Sequence, residues 1–319
     1  MRIIPITLPT PFPVGPVNVY LVADDPVTLI DTGPKTREAL AALREGLRKA
    51  AFRVFDIRRI VLTHTHEDHC GLARTIRSEA HDVEIFVHDW ETGHLAERGA
   101  DDGYQALLVR GGVPKEVMGQ MRGMFMGVRA YGETLEEMDC RELKDGEEIQ
   151  FASGALRVVH TPGHTPGSCS LLREADRTVV AGDTVLKRIT PNPILSPDPV
   201  DPRKRFRSLE EYLVSLSRLR SFAPTLVYGG HGEPVTDYEE IFNRYVRHVR
   251  ERQAGVIGLV SKEGVTAWDI AGKLFPDLDD LVGVHHFLAV SEAVAHLDLA
   301  HSEGKIAVEL SQGREIYHT

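Results

Sequence analysis

The sequence predicts an α/β protein with a small helical appendage at its C-terminal end. Short β-branched runs alternate with helix-patterned segments through most of the 319 residues, as when helices are layered on sheets. Four of these runs end in polar, glycine-flanked turns that carry His or Asp. After Thr236 the texture changes to helices followed by a terminal hairpin, a winged-helix outline.

Residues 17–22 and 27–30 are β-branched runs divided by Asp24-Asp25-Pro26, a hairpin signal. Thr36 can cap a helix with Ala39, Leu40, Leu43 and Leu47 at helical spacing. A strand at 59–62 leads into His64-Thr65-His66-Glu67-Asp68-His69, with a helix at 72–80 and a strand at 84–88 beyond it. From about 94 to 142 the pattern weakens into an insertion. Its Met118, Met121, Met124, Phe125 and Met126 read as an amphipathic helix pair closing the core, or as an adaptable apolar lid over a substrate.

Strands resume at 148–151, 156–160 and 178–181. The proline-rich stretch 191–202 is expected to be a stiff, exposed loop, followed by a helix at 209–219 and a strand at 225–228. One long helix is expected over 238–260, and Thr266-Ala267-Trp268-Asp269 has the form of a capping box. A third helix runs over 285–302, and Ser311-Gln312-Gly313 turns a final hairpin. The expected division is a main domain of residues 1–236 and a C-terminal domain of 237–319.

Composition narrows the function classes. A net charge of −10 argues against broad nucleic-acid binding. No window approaches 18 uninterrupted apolar residues, and Met1-Arg2-Ile3-Ile4-Pro5 does not open a signal peptide. Cys70, Cys140 and Cys169 are widely spaced and form no C-x-x-C pair, which suits a reducing compartment. The expectation is a cytoplasmic protein that does not contact membranes.

The strongest chemical signal is the cluster at 64–69. Imidazole and carboxylate are preferred zinc ligands, and a strand ending in a tight turn can aim several of them into one cavity. Three further turns repeat the arrangement: Thr161-Pro162-Gly163-His164, Ala181-Gly182-Asp183-Thr184 and Gly229-Gly230-His231-Gly232. Glycine lets such turns take positive φ and approach one another closely.

With these residues in family order, the chain resembles the metallo-β-lactamase-fold hydrolase superfamily over roughly residues 1–236. The resemblance implies an αββα sandwich with the site on one sheet edge. It implies that His64, His66 and His164 bind one metal and that Asp68, His69 and His231 bind a second. Asp183 would bridge the two, and Asp31 would support the ligands by hydrogen bonding. The cofactors implied are two divalent ions, zinc in the first place, with manganese or iron as alternatives. Such ions, about 3.5–4 Å apart, can share a bridging hydroxide and polarise the bond under attack, with Asp68 orienting that hydroxide or accepting its proton. The bridging Asp183 separates the chain from the true β-lactamases of the superfamily. Glyoxalase II-like thioesterases and several nucleases keep the whole set.

The C-terminal segment is similar to that of β-lactamase-like protein 2, a family with endoribonuclease members, which raises a nuclease alternative. Charge opposes it: residues 254–319 hold four Lys or Arg (262, 273, 305, 314) against ten Asp or Glu. An acidic module binds phosphates poorly and reads better as a scaffold or a homodimer contact. Basic residues gather nearer the metal motifs, at Lys187-Arg188, 203–207, Arg244, Arg247, Arg250 and Arg252. They read as a solvated face, or as a funnel for an anionic substrate, whether a thioester or a phosphodiester, with Lys187, Arg188 and Tyr228 as substrate contacts. The leading expectation is a dinuclear hydrolase of a small ester-like or thioester substrate. A non-catalytic regulatory protein is the third reading, and it leaves an intact ligand set unexplained.

Overall fold

The computed structural model describes residues 1–96, 102–133, 140–278 and 283–319. Strands β1 (Arg2–Leu8), β2 (Val17–Ala23), β3 (Thr28–Ile30), β4 (Arg59–Val61), β5 (Glu84–His88) and β6 (Cys140–Leu143) form a six-stranded sheet in that order. The first three pair antiparallel, and β3 through β6 pair parallel. A second sheet has the order β11-β10-β9-β8-β7, built from β7 (Glu148–Phe151), β8 (Gly154–His160), β9 (Cys169–Arg173), β10 (Thr178–Gly182) and β11 (Leu226–Gly229). Only the β10–β11 pair in it is parallel.

The helices in the first half are α1 (Arg37–Lys49), α2 (Glu67–Cys70), α3 (Ala73–Ala80), α4 (Asp89–Ala96), α5 (Asp102–Arg110) and α6 (Lys115–Arg129). Those after the strands of the second sheet begin are α7 (Ser208–Ser221), α8 (Tyr238–Leu259), α9 (Ala267–Leu274) and α10 (Val284–Ser302). A hairpin of β12 (Ala307–Ser311) and β13 (Arg314–His318) ends the chain.

Side-chain alternation explains the layering. In β2, Tyr20 and Val22 face the second sheet and meet Ile149, Leu156, Val158 and Leu171. Val19 and Leu21 point the other way, onto Leu43 and Leu47 of α1 and Ile76 of α3. The second sheet behaves likewise: Val180 faces inward, while Val179 and Ala181 pack on Tyr212 and Leu216 of α7 and Ile241 and Tyr245 of α8. Strands buried on both faces read as continuous apolar runs. The result is an αββα sandwich.

Three strands escape a sequence reading. Pro5 argues against a strand at β1, yet β1 lies at the sheet edge, where a missing N–H is tolerated. β6 and β9 are short and lie beside segments without clear periodicity.

Beyond α7 the chain packs differently from a detached appendage. The capping box is present: Thr266 N–H donates to Asp269 Oδ2 at 2.8 Å, and Asp269 N–H to Thr266 Oγ1 at 3.2 Å. Val256, Ile270, Phe287, Val290 and Tyr317 share one core with Leu107, Leu108 and Met121 from α5 and α6. Met118 and Phe125 pack against that core, whereas Met126 is 63% exposed. The methionine-bearing helix is thus largely a packing element; residues 97–101 and 134–139 of the insertion lie outside the described residues.

The 191–202 loop departs from expectation. Instead of standing in solvent it is wedged against α10, with Pro191, Leu195 and Ser196 buried and the Leu195 N–H donating to Ser291 Oγ at 3.1 Å. Just beyond it, Arg205 is buried between Asp298 and Glu315, with its Nε 2.6 Å from Asp298 Oδ2. Proline supplied stiffness here; the apolar residues between the prolines decided burial. Among the described residues no helix is long and apolar enough to cross a membrane.

Candidate metal centre

The His and Asp residues of the turns meet at one end of the sandwich because the strands that deliver them run the same way. β3 and β4 are parallel, as are β10 and β11, so Asp31, His64, Asp183 and His231 all emerge at strand C-terminal ends. His66 stands at the N-cap of α2, and Asp68 and His69 lie within that helix. His164 follows β8. Gly230 permits the closest approach: a Cβ there would lie 2.1 Å from Asp183 Oδ1 and 2.7 Å from His69 Cε1.

Three groups of ligand-type atoms lie within 4.8 Å of one another: His64, His66 and His164; Asp68, His69 and His231; and His64, His69 and Asp183. In the first, His66 Nδ1 is 3.1 Å from His64 Nε2 and 3.0 Å from His164 Nε2. In the second, His231 Nε2 is 3.4 Å from Asp68 Oδ2 and 3.5 Å from Asp183 Oδ2. Asp183 Oδ1 faces His69 Nε2 at 3.4 Å.

The opposite ring nitrogens are held from behind. His69 Nδ1 donates to Asp31 Oδ2 at 2.8 Å, His164 Nδ1 to the Asn192 carbonyl at 3.0 Å and His231 Nδ1 to the Pro16 carbonyl at 2.9 Å. Asp31 also accepts from the Thr63 N–H and hydroxyl, each at 2.8 Å. Its φ of +58° places it in the left-handed region, which Asp tolerates better than most residues. A donor bond on one nitrogen leaves the other with a lone pair aimed into the site.

Charge divides the centre. Burial, reinforced by His69 and His66, pushes His64 well below the ordinary imidazole value; burial with His66 brings His164 down to about 4. These imidazoles are neutral lone-pair donors. Burial works against protonation of His231 too, but Asp183 and Asp68 outweigh it and raise it to about 10. Burial likewise opposes the Asp183 carboxylate, yet His69 and His231 hold it well below the usual range. The carboxylates beside the second group thus favour a positive charge among its residues.

The residues fit divalent ions. His69 Nε2, Asp183 Oδ1 and His231 Nε2 are buried without a hydrogen-bond partner, an arrangement that costs free energy unless a cation satisfies them. His66 Nδ1 can give at most one proton to one of the two nitrogens facing it, so a cation also resolves the first group. Imidazole and carboxylate donors suit zinc, manganese and iron alike.

An αββα sandwich with this cluster on its edge defines a class: the metal-dependent hydrolases. The chain belongs to the metallo-β-lactamase superfamily, whose family model matches residues 12–231. It is 32% identical over 321 residues to the probable metallo-hydrolase YqjP of Bacillus subtilis, covering 99% of this chain and 97% of that one. A β-lactamase-like protein 2 homolog of Caenorhabditis elegans is 24% identical, over 84% of this chain and 74% of the relative. Among solved structures, the metallo-β-lactamase family protein TTHA1429 from Thermus thermophilus superposes with a TM-score of 0.83 at 27% identity, covering 99% of this chain and 98% of that one. The protein is accordingly a metal-dependent hydrolase.

The three expected substrate contacts fare differently. Tyr228 is turned into the space between the sheets, its ring centroid 5.1 Å from that of Tyr20, because β-strand alternation aims it at the core. Arg188 is exposed and paired with Glu233, its Nε 3.1 Å from Glu233 Oε2. Lys187 is exposed. Much of the remaining basic charge is also paired internally: Arg205 and Arg207 with Asp298, Arg250 with Glu303 and Arg252 with Glu292. Two residues against the site carry no sequence signal of that role: Asn192, through its backbone carbonyl, and Glu91, whose contacts with Thr65 and Thr165 depend on tertiary packing.

Proposed function

We propose that this protein is a dinuclear hydrolase acting on a small ester-like or thioester substrate. The observation that carries the dinuclear reading is the set of orphaned, buried atoms at His69, His231 and Asp183 beside a separate all-imidazole group. On this reading His64, His66 and His164 would hold one ion, Asp68, His69 and His231 the other, and Asp183 would serve both. When bound, the ions lower the pKa of water toward neutrality and polarise the scissile bond. Asp68, with Oδ2 facing His231 Nε2, would orient the attacking water or accept its proton. Asp183, kept ionised by His69 and His231, holds the two groups together and is not a general acid. Asp31 fixes the His69 ring.

The small-substrate reading rests on the C-terminal elements. α10, where a winged helix would enter a groove, contains no Lys or Arg and buries residues along most of its length, including His286, Phe287, Val290, Val294 and Leu297. With Arg205, Arg207, Arg250 and Arg252 paired internally, less positive charge remains for a polyanion. Lys187 is the basic residue retained as a contact for an anionic substrate; zinc is the metal favoured, and the site chemistry is compatible with manganese or iron.

Metal analysis of protein loaded with Zn²⁺ or Mn²⁺ is expected to find close to two ions per chain; one or none excludes the dinuclear reading. The same preparation, screened against thioesters, lactones, phosphodiesters and single-stranded RNA, is expected to turn over the first two classes. Hydrolysis confined to RNA would transfer the assignment to the nuclease alternative.

A further inference from the structure

Glu91 lies in the first turn of α4 and is only 1% exposed. Its carboxylate gathers four donors from two segments far apart in sequence. Oε2 accepts from the Thr65 N–H at 3.1 Å and from the Thr65 hydroxyl. Oε1 accepts from the Thr165 hydroxyl at 2.6 Å and from the Gly167 N–H at 3.0 Å. The two backbone N–H groups can only donate, so each carboxyl oxygen is held as an acceptor by a different loop.

The positions of those donors matter more than their number. Thr65 separates His64 from His66, and Thr165 directly follows His164. One carboxylate therefore bolts together the two segments that supply the whole all-imidazole group. The seat is tight: a Cβ on Gly167 would lie 2.5 Å from Glu91 Cγ and 3.0 Å from Glu91 N, so glycine lets the carboxylate close onto the loop. The loop is braced on its other flank by His160, whose Nε2 donates to the Pro166 carbonyl at 2.8 Å.

We propose that Glu91 is the positioning residue of the His64, His66 and His164 group, keeping two independently delivered loops in register for a metal ion. The proposal rests on the metal-centre reading above. Fixing imidazole lone pairs in advance removes an ordering cost from metal binding.

The test measures affinity for Zn²⁺ by competition with a chromophoric chelator, together with the visible absorption of the Co²⁺-loaded protein. It compares the wild type with Glu91→Ala, Glu91→Gln and Thr165→Val. Both Glu91 variants are expected to weaken the binding of one of the two ions by about 10–100-fold and to alter the Co²⁺ spectrum. Thr165→Val, which removes one donor, should produce a smaller change in the same direction. A purely structural clamp would instead lower the unfolding temperature while leaving affinity and spectrum unchanged, and that result overturns the proposal. If Glu91→Ala yields no folded protein, Glu91→Gln and Thr165→Val decide by the same criterion. Wild-type protein that binds no Zn²⁺ removes the metal-centre reading and this proposal together, whereas normal wild-type binding with unaltered variants removes this proposal alone.

Discussion

His164 Nδ1 donates to the backbone carbonyl of Asn192 at 3.0 Å, so a metal-ligand-type imidazole is oriented by the loop that α10 holds in place. That loop is pinned by the Leu195 N–H to Ser291 Oγ at 3.1 Å and by Asn192 Nδ2 to the Leu288 carbonyl at 3.4 Å. Ser291→Ala leaves the buried Leu195 N–H without its acceptor. We expect a loss of about 1–3 kcal/mol in chemical denaturation; an unchanged midpoint would show that the loop does not depend on α10.

Asp183 faces His69, His231 and His164, at 3.4, 3.5 and 3.8 Å respectively. Asp183→Ala is expected to reduce bound metal and to lower kcat/KM for whichever substrate is found by about 10³-fold or more, because metal-borne charge stabilisation is worth several kcal/mol. Retained activity would show that no shared carboxylate is needed.

Gly230→Ala tests the crowding at the centre without removing a ligand. The new methyl would sit 2.1 Å from Asp183 Oδ1, so the carboxylate or the β11 turn must move. A misplacement of about 1 Å at such a centre costs about 10²-fold in turnover. The expected outcome is folded protein with impaired metal binding; wild-type kinetics would mean that the turn relaxes freely.

The Arg205 cluster supplies a pH prediction. Burial pushes the Glu315 carboxyl up, but the charge and hydrogen bond of Arg205, with Arg110 and Tyr317, prevail and leave it below the ordinary value of 4.5. A lowered folded-state pKa means that its stabilisation is complete above 4.5 and is lost as pH falls through the lower folded value. Arg205→Met should shrink that acid-side loss and cost about 3 kcal/mol at neutral pH, the low end for a broken buried pair because Arg110 and Arg207 remain. Urea denaturation across pH 3–7, a range of about four units around the carboxylate value, reads both effects.

The site shows how sequence and fold share the work. His64, His66, Asp68, His69, His164, Asp183 and His231 were legible because each lies in a strand-end turn whose chemistry is local: an apolar run stops, and a polar, glycine-flanked turn begins. Glu91 had no such signature, since a lone glutamate in a helix ordinarily faces solvent. Alternation along β11 turns Tyr228 toward the inter-sheet space, a parity that depends on which face of the sheet is covered.

By itself, the sequence determined the α/β pattern, the ligand types and their family order, because periodicity and turn chemistry are properties of neighbouring residues. Tertiary structure alone decided that the proline-rich loop is wedged beneath α10, that α6 shares a core with the C-terminal helices, and that Asn192 and Glu91 stand behind the imidazoles. These are contacts between segments distant in the chain, and their partners are chosen only when the layers pack.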